Sequence, residues 1–105
     1  MIVVRMEPGS LWDASVGSRG QRLWDEHAAF MDDLFARGLI ELAGPLADGS
    51  GALVVVRSES VDQVRSWFDA DPWTVHDVLP VREVTQWTIF LDGRAGEPLR
   101  PGGSE

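Results

Sequence analysis

The chain has 105 residues, of which 44% are hydrophobic and 25% charged, and it carries a formal net charge of −8. This length and composition predict one globular domain with a single modest core. The negative charge argues against nucleic-acid binding, because phosphate backbones would be repelled, and no apolar run approaches the ~20 residues that a membrane span requires.

The first elements in chain order are a strand and a helix. "MIVVRM" is rich in β-branched residues and predicts a strand over residues 1–6. After a Gly-rich loop, apolar residues recur at steps of three and four through residues 21–37, which is typical of an amphipathic helix. Ser18 and Gln21 have the spacing of a capping box that would begin this helix, and Gly38 is expected to end it.

A hairpin and a second helix follow. Residues 39–46 and 51–59 predict two strands joined through "ADGS". Ser60 repeats the capping-box spacing and is expected to begin a second amphipathic helix. Pro72 opposes helical geometry at the residue before it, so this helix is expected to end near Asp69.

The last predicted elements are a short helix over residues 72–78 and a strand over residues 81–91. We therefore assign residues 1–91 to one domain and residues 92–105, which are rich in Gly, Pro and polar residues, to a flexible tail. The order β-α-β-β-α-β predicts an α+β fold of the ferredoxin-like type, in which two helices cover one face of a four-stranded antiparallel sheet.

The predicted strands do not alternate cleanly between apolar and polar residues. Residues 2–4 ("IVV") and 53–56 ("LVVV") are apolar at consecutive positions, so both faces of the sheet are expected to be buried. Since the chain has no further element to cover the second face, we predict a homodimer whose sheets pack face to face. The alternative is a monomer that exposes an apolar sheet face.

The residue types that are missing restrict the chemistry. The sequence contains no Lys, Cys or Tyr, which excludes Schiff-base catalysis, covalently attached pyridoxal phosphate, thiol nucleophiles, disulfides and zinc–thiolate sites. The N-terminal residues show no basic region followed by a long apolar stretch, so we expect a cytoplasmic protein without a secretory signal.

His27 lies within the apolar stripe of the first predicted helix, three residues after Trp24 and four before Met31. This spacing turns the imidazole toward the sheet, where leaving a polar ring unpaired would cost about 1–3 kcal/mol. One interpretation is a core histidine that bonds a backbone carbonyl. The other is a functional histidine, which requires an acidic partner and an opening to solvent.

Asp71 is the candidate partner, because it follows the second helix and both helices lie on the same face of the sheet in this topology. Its alternative role is to cap the short helix that begins at Pro72. The two roles are compatible, since one carboxylate oxygen can cap the helix while the other accepts a hydrogen bond from His27. Such a pair would orient the imidazole and fix its tautomer.

Several motifs together resemble the YCII family. "H-x-x-F-x-x-x-L-x-x-x-G" begins at His27, "AGPL" precedes a Gly-containing turn, and "DPW" begins at Asp71, in the order and spacing of that family. The resemblance extends from Met1 to about Phe90. It implies the dimeric α+β barrel fold, an active-site pair at His27 and Asp71, and cofactor-free lyase chemistry on small cyclic compounds, with dehydrochlorination as the best-defined example.

General acid/base catalysis is the chemistry that these inferences predict for the pair. Neutral His27 would remove a proton from a small cyclic substrate, Asp71 would stabilise the imidazolium, and the reaction would be of the lyase or isomerase type without a cofactor. The alternative is a non-catalytic dimer that binds a small ligand or serves as an accessory to another protein.

Four further residues are candidates for substrate binding. Gly44 and Pro45 would let the backbone approach a ligand closely, or would only form the turn at the end of a strand. Trp12, in the first loop, would close over a pocket or pack on the dimer surface. Trp73 is expected to line the pocket.

A metal site is not expected. His27, Asp71 and His76 are suitable ligand types, but their spacing matches no metal-binding motif. We interpret His76, which precedes Asp77, as a solvent-facing residue.

Overall fold

A computed structural model of the chain describes residues 1–94 and 97–98. Within these residues, four strands form one antiparallel sheet in the order β2-β3-β1-β4. The strands are β1 (Ile2–Met6), β2 (Ile40–Pro45), β3 (Ala52–Val56) and β4 (Val81–Gln86). The helices are α1 (Trp24–Ala36), α2 (Val61–Phe68) and α3 (Pro72–Val75). The predicted α+β fold of the ferredoxin-like type is confirmed, with α3 as an additional turn after α2.

Alternate residues of the strands face α1 and α2 and build the core. The buried core residues include Ile2, Val4 and Met6 of β1, Val54 and Val56 of β3, Leu34 of α1, and Val64 and Phe68 of α2. Because a strand presents successive side chains to opposite faces, the apolar run at residues 53–56 is divided between the two faces of the sheet.

The opposite face of the sheet carries the other half of this apolar run. Val55 is flanked by Val3 on one side and by Leu42 on the other, so the three form one row across the sheet. Val3 and Val55 are only partly buried, and Leu42 is 56% exposed. The described residues therefore leave this face partly exposed, and its burial in a homodimer stays a prediction.

The start of α1 differs from the prediction, because Ser18 does not cap it. Ser18–Gly20 forms a 3₁₀ turn, and the N-cap of α1 is Leu23, which lies in the left-handed region at φ 61° and makes no side-chain capping bond. The Gln21 amide accepts a hydrogen bond from the Asp13 N–H at 2.8 Å and donates one to the Asp13 carbonyl at 2.7 Å. The expected capping box fails because Gln21 holds the first loop together instead.

Gly38 ends α1 as predicted. Its φ is 76°, its N–H donates to the Phe35 carbonyl, and the Leu39 N–H donates to the Leu34 carbonyl. This pair of bonds is the Schellman arrangement, which favours glycine at the left-handed position. No helix among residues 1–94 is long and apolar enough to cross a membrane.

α2 begins and ends where the sequence predicts. The Ser60 hydroxyl oxygen accepts from the Gln63 N–H at 3.1 Å, and the helix ends at Phe68 with Asp69 as its C-cap. The short helix α3 begins at Pro72 as expected but ends at Val75, earlier than the predicted residue 78. Its last turn closes when the Val78 and Leu79 N–H groups bond to the Trp73 carbonyl.

The sequence predicts a last strand over residues 81–91, but β4 ends at Gln86. Its pairing with β1 finishes at the hydrogen bond from the Trp87 N–H to the Met1 carbonyl, at 2.8 Å. A strand needs a neighbour for its backbone groups, and the β1–β4 register ends at the pair Ile2 and Gln86.

Two short strands follow at the C-terminal end. β5 (Leu91–Asp92) and β6 (Glu97–Pro98) form a separate two-residue ladder. Residues 95–96 and 99–105 of the predicted tail lie outside the described residues, and its flexibility stays a prediction.

Candidate active site

His27 of α1 and Asp71 at the start of α3 form a buried pair. His27 is 8% exposed, Asp71 is fully buried, and His27 Nδ1 lies 2.8 Å from Asp71 Oδ1. The apolar spacing of α1 turns His27 toward the sheet, and α1 packs against α3, so residues 44 positions apart meet. The predicted contact is present, and a catalytic role for it stays a prediction.

The position of Asp71 is fixed by its role as the N-cap of α3. Its Oδ1 accepts a hydrogen bond from the Trp73 N–H at 3.0 Å, and Pro72 occupies the first helical position. The two roles expected of Asp71 therefore coexist, but they are not divided between the two oxygens. Oδ1 accepts both bonds, and the buried Oδ2 has no hydrogen-bond partner among the described residues.

This geometry selects the tautomer of His27. A carboxylate only accepts hydrogen bonds, so Nδ1 carries the proton and donates it to Asp71. In the neutral ring Nε2 then holds the lone pair, and no described residue bonds to it. His27 also lines a cavity.

Trp73 contacts the pair in two ways. Its indole is stacked on the imidazole of His27, with ring centroids 3.8 Å apart and planes inclined by 5°. The indole N–H donates to the Arg22 carbonyl at 2.8 Å, which fixes the ring at the entrance to α1. Since Trp73 is 2% exposed, the stack forms a rigid wall behind the histidine.

Two more indoles surround this stack. Trp24 lies against both rings, with centroid distances of 6.0 Å to His27 and 5.7 Å to Trp73. Trp12, from the first loop, meets the Trp73 ring edge-on at 5.8 Å. Edge-on and tilted contacts at these distances are favourable, so the four rings form one aromatic cluster.

A cavity of about 240 Å³, which we call the inner cavity, lies against His27. Apart from this imidazole and the Ser18 side chain, its walls are apolar or backbone. The apolar part includes Trp24, Met31, Val54, Trp73 and Leu79. Such a space suits a flat organic ring, since aromatic walls favour stacking and the polar groups are few.

Gly44 and Pro45 line the inner cavity, and their role in substrate binding stays a prediction. In the strand register Pro45 is opposite Ala52, whereas Gly44 is opposite Leu53, which lies on the other face of the sheet. Gly44 therefore offers only backbone to the cavity, and a Cβ added there would meet nothing within 4 Å. The presence of glycine at position 44 is therefore not explained by a lack of space for a side chain.

The structure adds further lining residues to the predicted site, among them Trp24, Met31 and Ser18. Trp24 and Met31 line the inner cavity, and their spacing of three and four residues from His27 is the signal that could have identified them. Ser18 lines it as well, although it was assigned to a helix cap, and no local pattern marks it. Trp12, in contrast, does not line the inner cavity but contacts Trp73, which does.

His76 lies outside the site. It is exposed at the C-terminal end of α3, in agreement with its interpretation as a solvent-facing residue. Within the part of the chain that the structure describes, no group of three or more His, Cys, Asp or Glu side chains is arranged to hold a metal ion.

The first loop is tied to the end of α3 through Asp77. The Ser10 N–H and hydroxyl both donate to Asp77 Oδ2, at 3.0 and 2.7 Å, and these bonds hold the pKa of Asp77 below its usual value. Gly9 is required beside it, because a Cβ there would lie 2.2 Å from the Asp77 carbonyl oxygen. The element that carries Asp71 and Trp73 is thereby linked to the loop that carries Trp12.

Comparison with known proteins agrees with this architecture. The model of the YCII-related domain family matches residues 1–88. The structure is similar to that of a 5-chloro-2-hydroxyhydroquinone dehydrochlorinase from Burkholderia phenoliruptrix AC1100 in complex with 2,5-dihydroxybenzoquinone. That match has a TM-score of 0.62 and 21% sequence identity, and it covers 85% of this chain and 95% of the other. No curated protein sequence matches the chain.

Proposed function

The chain belongs to the YCII-related domain family, and we propose that it is a cofactor-independent enzyme in which His27 and Asp71 act as a general acid/base pair on a small cyclic substrate. One observation carries the proposal: the imidazole bonds a fully buried carboxylate through Nδ1, while it lines a cavity of about 240 Å³. A histidine held only for packing would have no need of an open cavity beside it.

The reaction class that fits this site is elimination from, or isomerisation of, a hydroxylated ring. His27 Nε2 would take the proton of a ring hydroxyl, and the proton would return to a ring carbon, giving the keto form. If that carbon bears a halogen, loss of a second hydroxyl proton lets the halide leave with the electron pair of its bond, so the net change is loss of hydrogen halide. Without a leaving group, the same proton transfers amount to isomerisation.

Asp71 and Trp73 would support this step by stabilising the imidazolium that forms when Nε2 is protonated. The carboxylate lies 2.8 Å from Nδ1, and the indole face is stacked on the ring. A charged hydrogen bond and a cation–π contact both become stronger when the imidazole gains a proton. The chain's likeness to a dehydrochlorinase that binds 2,5-dihydroxybenzoquinone is consistent with a substrate of this kind.

A homodimer is part of the same proposal. The row formed by Val3, Leu42 and Val55 is apolar and only partly buried, and Trp87, at the end of β4, is 48% exposed next to it. A groove of about 630 Å³ between this row and residues 87–94 is also mainly apolar. We propose that a second copy of the chain covers this face, because apolar patches of this kind are rarely left exposed.

The test of the enzyme proposal is turnover of chlorinated hydroquinones by the wild type and by His27→Asn. The Asn amide takes the place of Nδ1 and can still donate to Asp71, but it provides no equivalent of Nε2. Chloride release and quinone absorbance are measured for chlorohydroquinone and 5-chloro-2-hydroxyhydroquinone. We expect the variant to lose at least ~100-fold in rate while its melting temperature shows a folded protein.

Two results would count against the enzyme proposal. Turnover that survives His27→Asn would exclude His27 as the base. The wild type could instead bind these rings, as detected by a thermal shift, without converting them or any non-halogenated hydroxylated ring. That result would favour a ligand-binding protein without catalytic activity.

A further inference from the structure

A second cavity adjoins the inner cavity, and we propose that it holds an uncharged substituent of the ring on which His27 acts. This outer cavity has a volume of about 460 Å³ and lies between the first loop and the turn that joins β2 to β3. The proposal rests on the proposed function of His27, and it defines the substrate as a ring with an extension.

The two cavities share part of their lining. Ser18, Pro45, Ala52 and Leu79 line both of them. Three of these four residues are small, so little side-chain volume separates the two spaces. In this proposal a ligand bound against His27 extends past Ser18 and Ala52 into the outer cavity.

The volumes indicate that one ligand fills both spaces. A cavity of about 150 Å³ holds benzene, so the inner cavity, at about 240 Å³, accommodates one ring with small substituents. Pockets for organic ligands usually measure about 300–1,000 Å³, which is more than the inner cavity provides. The inner and outer cavities together fall well inside that range.

The walls of the outer cavity select an uncharged, largely apolar group. Trp12, Val16, Leu46 and Ala47 supply apolar surface. The single charged side chain among its described lining residues is Asp48, whose pKa is lowered by hydrogen bonds from Ser50, so it is ionised at neutral pH. No Arg lines either cavity among the described residues, and a carboxylate or phosphate on the ligand would be repelled.

The experiment compares a bare ring with an extended ring. Hydroquinone and phenylhydroquinone are titrated into the full-length protein, and their dissociation constants are measured by NMR. We expect the phenyl group to tighten binding at least about tenfold, because it would bury apolar area in the outer cavity. Ala14→Phe and Ala47→Phe, which fill this cavity from opposite sides, are expected to abolish the gain and to leave hydroquinone binding within about twofold.

The control is Ala29→Phe, which adds the same ring at an exposed position of α1 away from both cavities. It should leave both dissociation constants unchanged. The proposal would be overturned, while the proposed function stands, if the two probes bind the wild type with equal affinity. It would also be overturned if the phenyl group still increases affinity in both cavity-filling variants. Binding of hydroquinone without binding of phenylhydroquinone would likewise overturn only this proposal, whereas failure of both probes to bind would overturn both proposals.

Discussion

The imidazole of His27 and the indole of Trp73 are stacked face to face, with centroids 3.8 Å apart and planes inclined by 5°. Both residues also donate to one atom: the His27 Nδ1–H and the Trp73 backbone N–H are bonded to Asp71 Oδ1, at 2.8 and 3.0 Å. The N-cap of α3 thus fixes the histidine and the ring behind it. A substitution at any one of these three residues should therefore change the positions of the other two side chains.

The first prediction concerns the stack itself. Trp73→Phe keeps an aromatic face against His27 and loses the indole N–H bond to Arg22, whereas Trp73→Leu loses the face as well. Both variants should lose about 1–3 kcal/mol of unfolding free energy, because each leaves space in the core. We expect the kcat of Trp73→Leu to fall about tenfold below that of Trp73→Phe, since only the leucine variant removes cation–π support for the imidazolium.

The measurement is steady-state kinetics of both variants with a substrate identified by chloride release, together with thermal unfolding. If the two variants have equal kcat values and their KM values change by the same factor, Trp73 serves only as a wall of the inner cavity.

The second prediction separates the charge of Asp71 from its geometry. In Asp71→Asn the amide oxygen can occupy the Oδ1 position and accept from both Trp73 and His27, while the NH2 group replaces Oδ2, which has no described partner. The N-cap and the histidine tautomer should therefore survive, and unfolding free energy should change by only ~1 kcal/mol. Turnover should fall about 10–100-fold, because the imidazolium loses its counter-charge.

Asp71→Ala is the matched comparison for this prediction. It removes the cap of α3 and leaves the His27 donor unpaired, which together should cost about 2–4 kcal/mol. If the asparagine and alanine variants unfold at the same temperature, the shared-acceptor geometry at Oδ1 does not determine the stability of the site.

Features of the fold that depend on neighbouring residues in the sequence could be predicted. The cap at Ser60, the end of α1 at Gly38 and the N-cap at Asp71 each follow from local backbone requirements. The helical spacing of His27 and the breaking effect of Pro72 made a contact between the imidazole and the carboxylate possible, and the resemblance to the YCII family implied it.

Features that depend on distant contacts could not be predicted. Gln21 serves the first loop and not a helix cap, because its amide meets the backbone of Asp13. The end of β4 is set by where β1 stops pairing, which the apolar pattern of β4 alone does not reveal. The stack of Trp73 on His27 likewise requires the packing of α3 against α1.

The third prediction tests the homodimer. Leu42→Asp introduces a charge into the apolar row on the open sheet face, whereas Val75→Asp introduces the same charge at an apolar residue of α3 that is similarly exposed, at 61% against 56%. Since a buried unpaired carboxylate is strongly unfavourable, we expect Leu42→Asp to weaken association at least about tenfold. Sedimentation velocity of the two variants and the wild type provides the measurement. A wild type that sediments as a monomer at all concentrations would contradict the prediction.

The fourth prediction is a pH dependence of stability that arises from Asp77. Its pKa is lowered in the folded chain by the Ser10 N–H and hydroxyl, so the stabilisation is fully present above the usual pKa of about 3.8. It should be lost progressively as the pH falls from 3.8 through the lowered folded-state value. Asp77→Asn suits the positive φ of 58° and retains an acceptor for Ser10, but it cannot titrate.

Thermal unfolding of the wild type and Asp77→Asn between about pH 6 and 2.5 measures this effect. The wild type should be the more stable protein at pH 6, because hydrogen bonds to an ionised acceptor are stronger. Its advantage should shrink below about pH 4, as protons compete with Ser10 for the carboxylate. A difference that stays constant across the range would mean that Ser10 and Asp77 do not couple protonation to folding.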